Sequence, residues 1–254
     1  MKMCPETSMP TLILSPRYSD DSIALRRAAI ELGWDVMRLA GWRLHEDFEP
    51  EEPVLFAEPL FNEAVAEQLG LKVVEPPEDF LVTLPREYIK REVRLMSVAE
   101  ARTLPGPVFL KPPILKTFPA MVYASGAELS GMPAEDPVLA SEPVEWAAEF
   151  RFFVRGRRVH AWSPYWLDGA LARDEDGWVV QPDMAAMTRG LVDRLLADPR
   201  VQLPAALVLD AGVIRGVGPA IVEANEASGS GIYGCDPRGV LEVLRAATVA
   251  DSRT

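Results

Sequence analysis

Short apolar runs, separated by glycine, proline and charged residues, recur along the chain and predict many brief strands with few long helices. Thr11–Ser15 (TLILS) reads as a buried strand. A helix is predicted over 22–32, with Asp20 and Asp21 as N-caps and Gly33 as its stop. Trp34–Leu39, Val54–Phe56, the amphipathic Phe61–Leu69 and Val73–Val74 continue a strand–helix–strand rhythm, that of a small α/β lobe with a parallel sheet. Pro76–Pro85 reads as a Pro-rich connection, and Tyr88–Ala101 as a helix carrying Lys90, Arg91 and Arg94. Pro107–Lys111 is a strand that ends in a lysine before two prolines, and Val138–Val144 a strand that runs into a Pro-containing bend. Over 146–165 the pattern predicts two antiparallel strands joined near Gly156. Met187–Leu196 is an amphipathic helix and Arg238–Thr248 a terminal one, while residues 1–10 read as a loose, Pro-interrupted leader.

The most informative chemistry lies between Leu207 and Tyr233. Two apolar runs, Ala206–Leu209 and Ala220–Val222, each end on a carboxylate, Asp210 and Glu223, and Asn225 follows two positions later. Gly212, Gly216, Gly218 and Pro219 mark the turn between them. Paired as a hairpin, the strands bring Asp210 toward Glu223, and period-two alternation puts Glu223 and Asn225 on one face. Two carboxylates and an amide oxygen are hard donors that suit Mg²⁺, which takes few protein ligands and completes its octahedron with water and phosphate. The competing reading is a pair of acids at strand ends, solvated or capping a turn.

Composition narrows the field. Hydrophobic residues make up 48% and charged residues 25%, the balance of a globular chain long enough for one large domain or several small lobes. A formal net charge of −12 disfavours a nucleic-acid partner, which needs a basic surface. Two distant cysteines, Cys4 and Cys235, argue against a disulfide framework or a structural zinc site, and His45 and His160 are the only histidines. There is no G-x-S-x-G elbow and no Walker A sequence, and the N-terminal α/β part contains no G-x-G-x-x-G. No secretory leader is evident and no apolar run approaches membrane-spanning length, so the expectation is a cytoplasmic protein without a membrane partner.

Other residues gain meaning by position. Lys111 and Lys116 flank one loop and form a candidate polyphosphate clamp, against the simpler reading of lysines that snorkel out from a strand end. In SEPVEWAAE the peptide groups of Glu142, Pro143, Val144 and Glu145 are candidates to pair with a ligand edge, and Glu149 with a ribose diol; the alternative is a solvated linker. Arg151 alternates with Glu149 on one strand face and is either a structural ion-pair partner or a group facing transferred phosphate. Tyr165, Ser228 and Ser230 are candidates to line the site.

Taken in order, VFLKPPILKTFPA, SEPVEWAAEFRFFV, SPYW, LVLDAGV and VEANEASGSGIYGCDP resemble the R2K clade of ATP-grasp domain proteins over roughly residues 80–240. The resemblance implies an α/β and α+β architecture: a pre-ATP-grasp α/β lobe (1–80), a lysine and hinge subdomain (81–145), and a metal-binding subdomain (146–254), the last two clamping ATP. It implies that Lys111, Lys116 and, less directly, Arg91 contact phosphate. It places adenine against Glu142, Pro143 and Val144, ribose on Glu149, and Mg²⁺ on Asp210, Glu223 and Asn225, with Lys116 and Arg151 as the catalytic cations. The implied activity is that of an Mg-ATP-dependent carboxylate–amine ligase working through an acylphosphate on small-molecule or peptide substrates. An ATP-grasp kinase or phosphotransferase and a non-catalytic nucleotide- or partner-binding module are the alternatives. Many relatives carry an arginine two residues before the metal-binding aspartate, where this chain has Val208, and Arg151 is the candidate replacement. The Gly-rich phosphate loop is reduced to Ser125, Gly126 and Gly131. No motif encodes the identity of the substrates or the oligomeric state.

Overall fold

The computed structural model describes residues 9–114 and 117–251. Strand β1 (Pro10–Leu14) is buried along its whole length, as befits the centre of a parallel sheet covered on both faces. Helix α1 (Asp20–Glu31) follows, then β2 (Asp35–Arg38), β3 (Glu52–Phe56) and helix α2 (Pro59–Gln68). The sheet runs β2-β1-β3, all parallel. The N-cap of α1 is Ser19 rather than the expected aspartates. Ser19 and Ser22 form a reciprocal capping box, which leaves Asp20 and Asp21 in the first turn, where carboxylates oppose the helix dipole. Strand β4 (Leu71–Val73) does not extend the parallel sheet; it pairs instead with a C-terminal strand described below.

The predicted connection 76–85 and helix 88–101 are replaced by smaller pieces. Helices α3 (Phe80–Thr83) and α4 (Arg86–Ile89) are single turns, β5 (Val93–Ser97) is a strand, and α5 (Val98–Ala101) is again a single turn. Lys90 adopts a left-handed φ of 54° and stops α4, and a Ser97–Glu100 capping box starts α5. Between these stops Val93 is buried and Arg94 exposed, the alternation of a half-covered strand. Strands β6 (Val108–Lys111), β7 (Met121–Tyr123) and β8 (Pro137–Ser141) complete an antiparallel four-stranded sheet in the order β5-β8-β6-β7.

A larger sheet follows. Strands β9 (Trp146–Arg155) and β10 (Arg158–Leu167) are joined by Gly156 and Arg157, both at positive φ, the geometry of a tight two-residue hairpin. After β11 (Ala170–Leu171), the small hairpin β12 (Arg173–Asp174) and β13 (Gly177–Trp178), and helix α6 (Pro182–Ala197), come β14 (Ala206–Ile214) and β15 (Gly218–Asn225). The five-stranded sheet is ordered β11-β10-β9-β14-β15 and antiparallel. Helix α7 (Pro237–Leu244) ends sooner than predicted, and the chain returns as β16 (Thr248–Ala250) to pair with β4.

The two faces of this sheet serve different ends. One face packs Phe150, Phe152, Leu207 and Leu209 under α6 and under Phe80 and Tyr88 of the single-turn helices. The other packs Phe153, Ala206 and Val208 against Leu12 and Leu25 of the parallel lobe and against α7. Truncating such a buried Phe costs about 3–5 kcal/mol, so both clusters hold the sheet firmly. Further along the second face, apolar residues give way to Glu149, Arg151, Asp210 and Glu223. No helix among the described residues is long and apolar enough to cross a membrane.

Candidate active site

The hairpin register sets the site. Asp210 pairs directly with Glu223 across β14 and β15, and with Arg151 across β14 and β9. Every residue of β14 is buried, and Asp210 is its one charge, with no solvent exposure. Arg151 answers it with a bidentate fork: Nε donates to Oδ1 at 2.9 Å and Nη2 to Oδ2 at 2.6 Å, while Nη1 donates to the Gly231 carbonyl at 2.9 Å. The guanidinium also lies over the rings of Tyr165 and Tyr233, at 5.5 and 4.9 Å from their centroids. Burial raises the Asp210 carboxyl and Arg151 opposes that rise; burial lowers Arg151, but the carboxylate holds it above its ordinary value.

A bulge aims Glu223. The β14–β15 register shifts next to Asp210, so Val222 has no partner opposite it. Arg91 supplies one: its Nη2 donates to the Val222 carbonyl at 2.9 Å, and its Nη1 to the carbonyls of Ile221 and Ile89 at 2.7 and 3.1 Å. Arg91 therefore stands in the site wall with its guanidinium engaged by backbone and its face toward Trp146. Burial lowers it to about 10, which leaves it a cation at neutral pH. Glu223 accepts from the Lys111 ammonium and, at 3.0 Å, from Asn225 Nδ2, which also reaches Asp210 Oδ2 at 3.3 Å. Burial raises the Glu223 carboxyl, but Lys111, Asn225 and Arg151 together pull it down to about 2.

Beside this cluster a cavity of about 200 Å³ lies between the two antiparallel sheets. Its walls are mostly apolar, Phe109, Leu139, Val144 and Trp146 among them, and Arg91, Lys111, Ser141, Glu142 and Glu223 supply the polar edge. Whole small-molecule sites run to roughly 300–1,000 Å³, so this volume suits one ring system with the rest of a ligand at its mouth. Residues 142–145 join the sheets and belong to no strand. The Glu142 carboxylate accepts from the Glu92 amide at 3.1 Å, and the Glu145 carbonyl from the Arg215 amide at 2.9 Å. Pro143 is exposed at this bend.

The structure thus brings Lys111, Arg91, Glu142, Val144 and Glu223 to one cavity, and Arg151, Asp210 and Asn225 to its edge. Glu149 stands apart from the cavity wall and accepts a hydrogen bond from the Tyr165 hydroxyl. Burial is the main reason its carboxyl rises to about 7. Lys116 lies outside the described residues. Several contributors escaped the sequence reading. Trp146 lines the cavity, and its signal was an aromatic residue directly after the Pro-containing bend. Tyr233 stacks on Tyr165 at 5.0 Å and meets Trp178 edge-on, and nothing local marked Trp178. Asp21 of α1 reaches across to accept from the Ile232 amide at 3.0 Å, tying the parallel lobe to the loop beside Arg151.

The donor set fits a divalent cation in part. Asp210 and Glu223 bring hard carboxylate oxygens to one point, where Asn225 presents its amide nitrogen, and among the described residues no group of three or more His, Cys, Asp or Glu is placed to hold a metal on its own. Such a partial shell matches a cation that draws its other ligands from water and phosphate.

Comparison with known proteins identifies the family and the fold. A family model described as "ATP-grasp domain, R2K clade family 2" matches residues 88–243. Among solved structures, a RimK domain protein ATP-grasp from Sphaerobacter thermophilus DSM 20745 superposes with a TM-score of 0.56 at 18% identity, over 91% of this chain and 97% of that one. The ATP-grasp ligase PsnB, complexed with minimal precursor, Mg and ADP, gives 0.53 at 13% identity over 94% and 96%. The D-alanine–D-alanine ligase from Bacillus anthracis complexed with ATP gives 0.50 at 13% identity over 94% and 97%. At these identities the likeness shows the fold, which is ATP-grasp. No curated protein matches the chain.

Proposed function

The chain belongs to family 2 of the R2K clade of ATP-grasp domain proteins, and from that premise we propose that it is a cytoplasmic Mg-ATP-dependent carboxylate–amine ligase. The observation that carries the reading is the direct apposition of Asp210 and Glu223, with Asn225 on both carboxylates and Lys111 on Glu223, at the edge of an apolar cavity. In this reading the adenine ring enters between Val144 and Trp146, and the 142–145 bend presents backbone groups to its edge. Lys111 meets phosphate, joined by Lys116, and Glu149 meets ribose. Arg91 shapes the wall through the bulge it holds. The division at 1–80, 81–145 and 146–254 follows the same reading, with the nucleotide between the second and third parts.

Asp210, Glu223 and Asn225 would hold Mg²⁺. When bound, it supplies charge neutralisation for the phosphates and a fixed orientation for them. The rest of the chemistry is positioning. A substrate carboxylate oxygen attacks the γ-phosphorus and ADP leaves, giving an acylphosphate. An amine nitrogen then attacks the acyl carbon, phosphate leaves and the amine proton is lost. Arg151 is kept in place by Asp210, Tyr165 and Tyr233, and it supplies fixed positive charge beside the reacting phosphate at no reorganisation cost. Catalysis by PsnB and by D-alanine–D-alanine ligase, both named as ligases, supports this class of reaction.

Hydroxylamine trapping tests the proposal without knowledge of the amine. The protein is incubated with Mg-ATP and a panel of amino acids, short peptides and small carboxylic acids, and hydroxamate and ADP are measured. Equal amounts of ADP and hydroxamate with one carboxylate support the ligase. A stable phosphorylated product would identify a kinase instead.

A further inference from the structure

Lys111 closes β6 of the four-stranded sheet and Glu223 lies near the end of β15 of the five-stranded sheet, so their ion pair crosses the cavity between the two. The proposed ATP site, on which this inference rests, assigns the two groups to different partners, the lysine to phosphate and the carboxylate to metal. Here each satisfies the other. All four carboxylate oxygens of the metal pair accept from protein donors. Glu223 accepts from Lys111 and Asn225, and Asp210 from Arg151 Nε on one oxygen and from Arg151 Nη2 and Asn225 on the other. A divalent cation arriving alone would have to displace an ammonium from Glu223 and remain beside it. Repulsion at such separations is of the same order as the ion-pair attraction. A polyphosphate arriving alone meets Asp210 and Glu223, both acidic.

We propose that Lys111 locks the metal site: its ammonium holds Glu223 until a nucleotide polyphosphate draws it away, so the site takes a divalent cation and a nucleoside triphosphate together and takes either alone only weakly. The lysine is exchanged between two anions and Glu223 between two cations, which keeps both charges paired before and after loading. Asn225 takes part in the exchange. Its amide now turns Nδ2 to both carboxylates and must rotate to offer Oδ1 to a cation. Coupling of this kind is reciprocal: nucleotide must strengthen metal binding by the same factor as metal strengthens nucleotide binding.

The test is Mn²⁺ binding to the full chain at pH 8, followed by electron paramagnetic resonance, with and without AMP-PNP. Wild type should bind Mn²⁺ about 100-fold more tightly with the nucleotide than without it. Lys111→Met frees Glu223, so Mn²⁺ affinity without nucleotide should rise about tenfold and the enhancement by nucleotide should shrink to match. Lys111→Arg keeps a cation on Glu223 and should resemble wild type in the absence of nucleotide. A folded Lys111→Met protein with unchanged or weaker Mn²⁺ affinity would overturn the lock. If Lys111→Met does not fold, as judged by circular dichroism, wild type decides: equal Mn²⁺ affinity with and without AMP-PNP overturns the proposal. Wild type that binds no Mn-AMP-PNP at all defeats the ATP-site reading itself, a result distinct from failure of the lock alone.

Discussion

Arg151→Met removes a guanidinium that covers both oxygens of a carboxylate with no solvent exposure. Breaking a buried pair from one side costs about 3–5 kcal/mol, because the remaining charge is left without its partner. Two features fix the place within that range. Asp210 faces a second carboxylate, Glu223, which raises the cost, and the Asn225 amide still donates to Asp210, which lowers it. We expect about 3–4 kcal/mol, or a fall in Tm of about 10 °C for a chain of this size. Arg151→Lys keeps the charge but loses the planar fork and the third bond to Gly231, and should lie between wild type and Arg151→Met. Replacing both partners by apolar groups is often close to neutral, so Arg151→Met/Asp210→Leu should be more stable than the sum of its single changes allows. The assay is urea unfolding of wild type, both single variants and the double variant at one pH. A coupling of at least about 2 kcal/mol is expected for groups in direct contact. Additivity within about 0.5 kcal/mol would refute the reasoning that Arg151 and Asp210 form one buried unit.

Other changes probe the rest of the site. Glu149 rises from 4.5 to about 7 on folding, so across that window the folded carboxyl keeps a proton that the unfolded one has released, and stability falls as pH rises. Glu149→Gln should flatten this dependence and unfold at higher urea above pH 7; an unchanged pH profile would exclude Glu149 as its source. Tyr165→Phe removes the bond that lowers the Glu149 carboxyl, and should move the stability window upward in pH, read by the same unfolding series. Arg91→Lys cannot reach the Ile221, Val222 and Ile89 carbonyls together; it should cost about 2 kcal/mol and weaken AMP-PNP binding measured by calorimetry. Gly212→Ala would set a Cβ 2.4 Å from the Ala148 carbonyl oxygen and 2.9 Å from the Trp146 ring. It should cost about 1–3 kcal/mol and quench or shift Trp146 fluorescence.

The hairpin that carries Asp210 and Glu223 was legible because two features agreed: apolar runs of strand length, and glycines where the chain had to turn. Hairpin pairing then brought Asp210 toward Glu223, and alternation put Glu223 and Asn225 on one face. The 142–145 bend was legible because Pro143 breaks an apolar run between two strands. Tyr88–Ala101 was misread because Tyr88, Arg91, Leu95 and Val98 fall at spacings near a helical period. The backbone stop at Lys90 and the capping box at Ser97 overrode it, and pairing with β8 decided for a strand. Long-range partners were the least visible. Arg151 was expected near the acidic pair, but that it closes Asp210 with a fork depends on the β9–β14 register. The bond from Ile232 to Asp21 spans 211 positions and the Lys111–Glu223 pair spans 112, distances over which no local pattern carries information. The return of β16 to β4 was missed because three residues are too few to read as a strand.

A crystal structure with Mg²⁺ and AMP-PNP tests the central claim most directly. The account predicts the base in the cavity beside Val144 and Trp146, one or two metal ions on Asp210, Glu223 and Asn225, and Lys111 moved from Glu223 to phosphate. A nucleotide bound elsewhere, or a metal held by other residues while the Lys111–Glu223 pair stays intact, would contradict it.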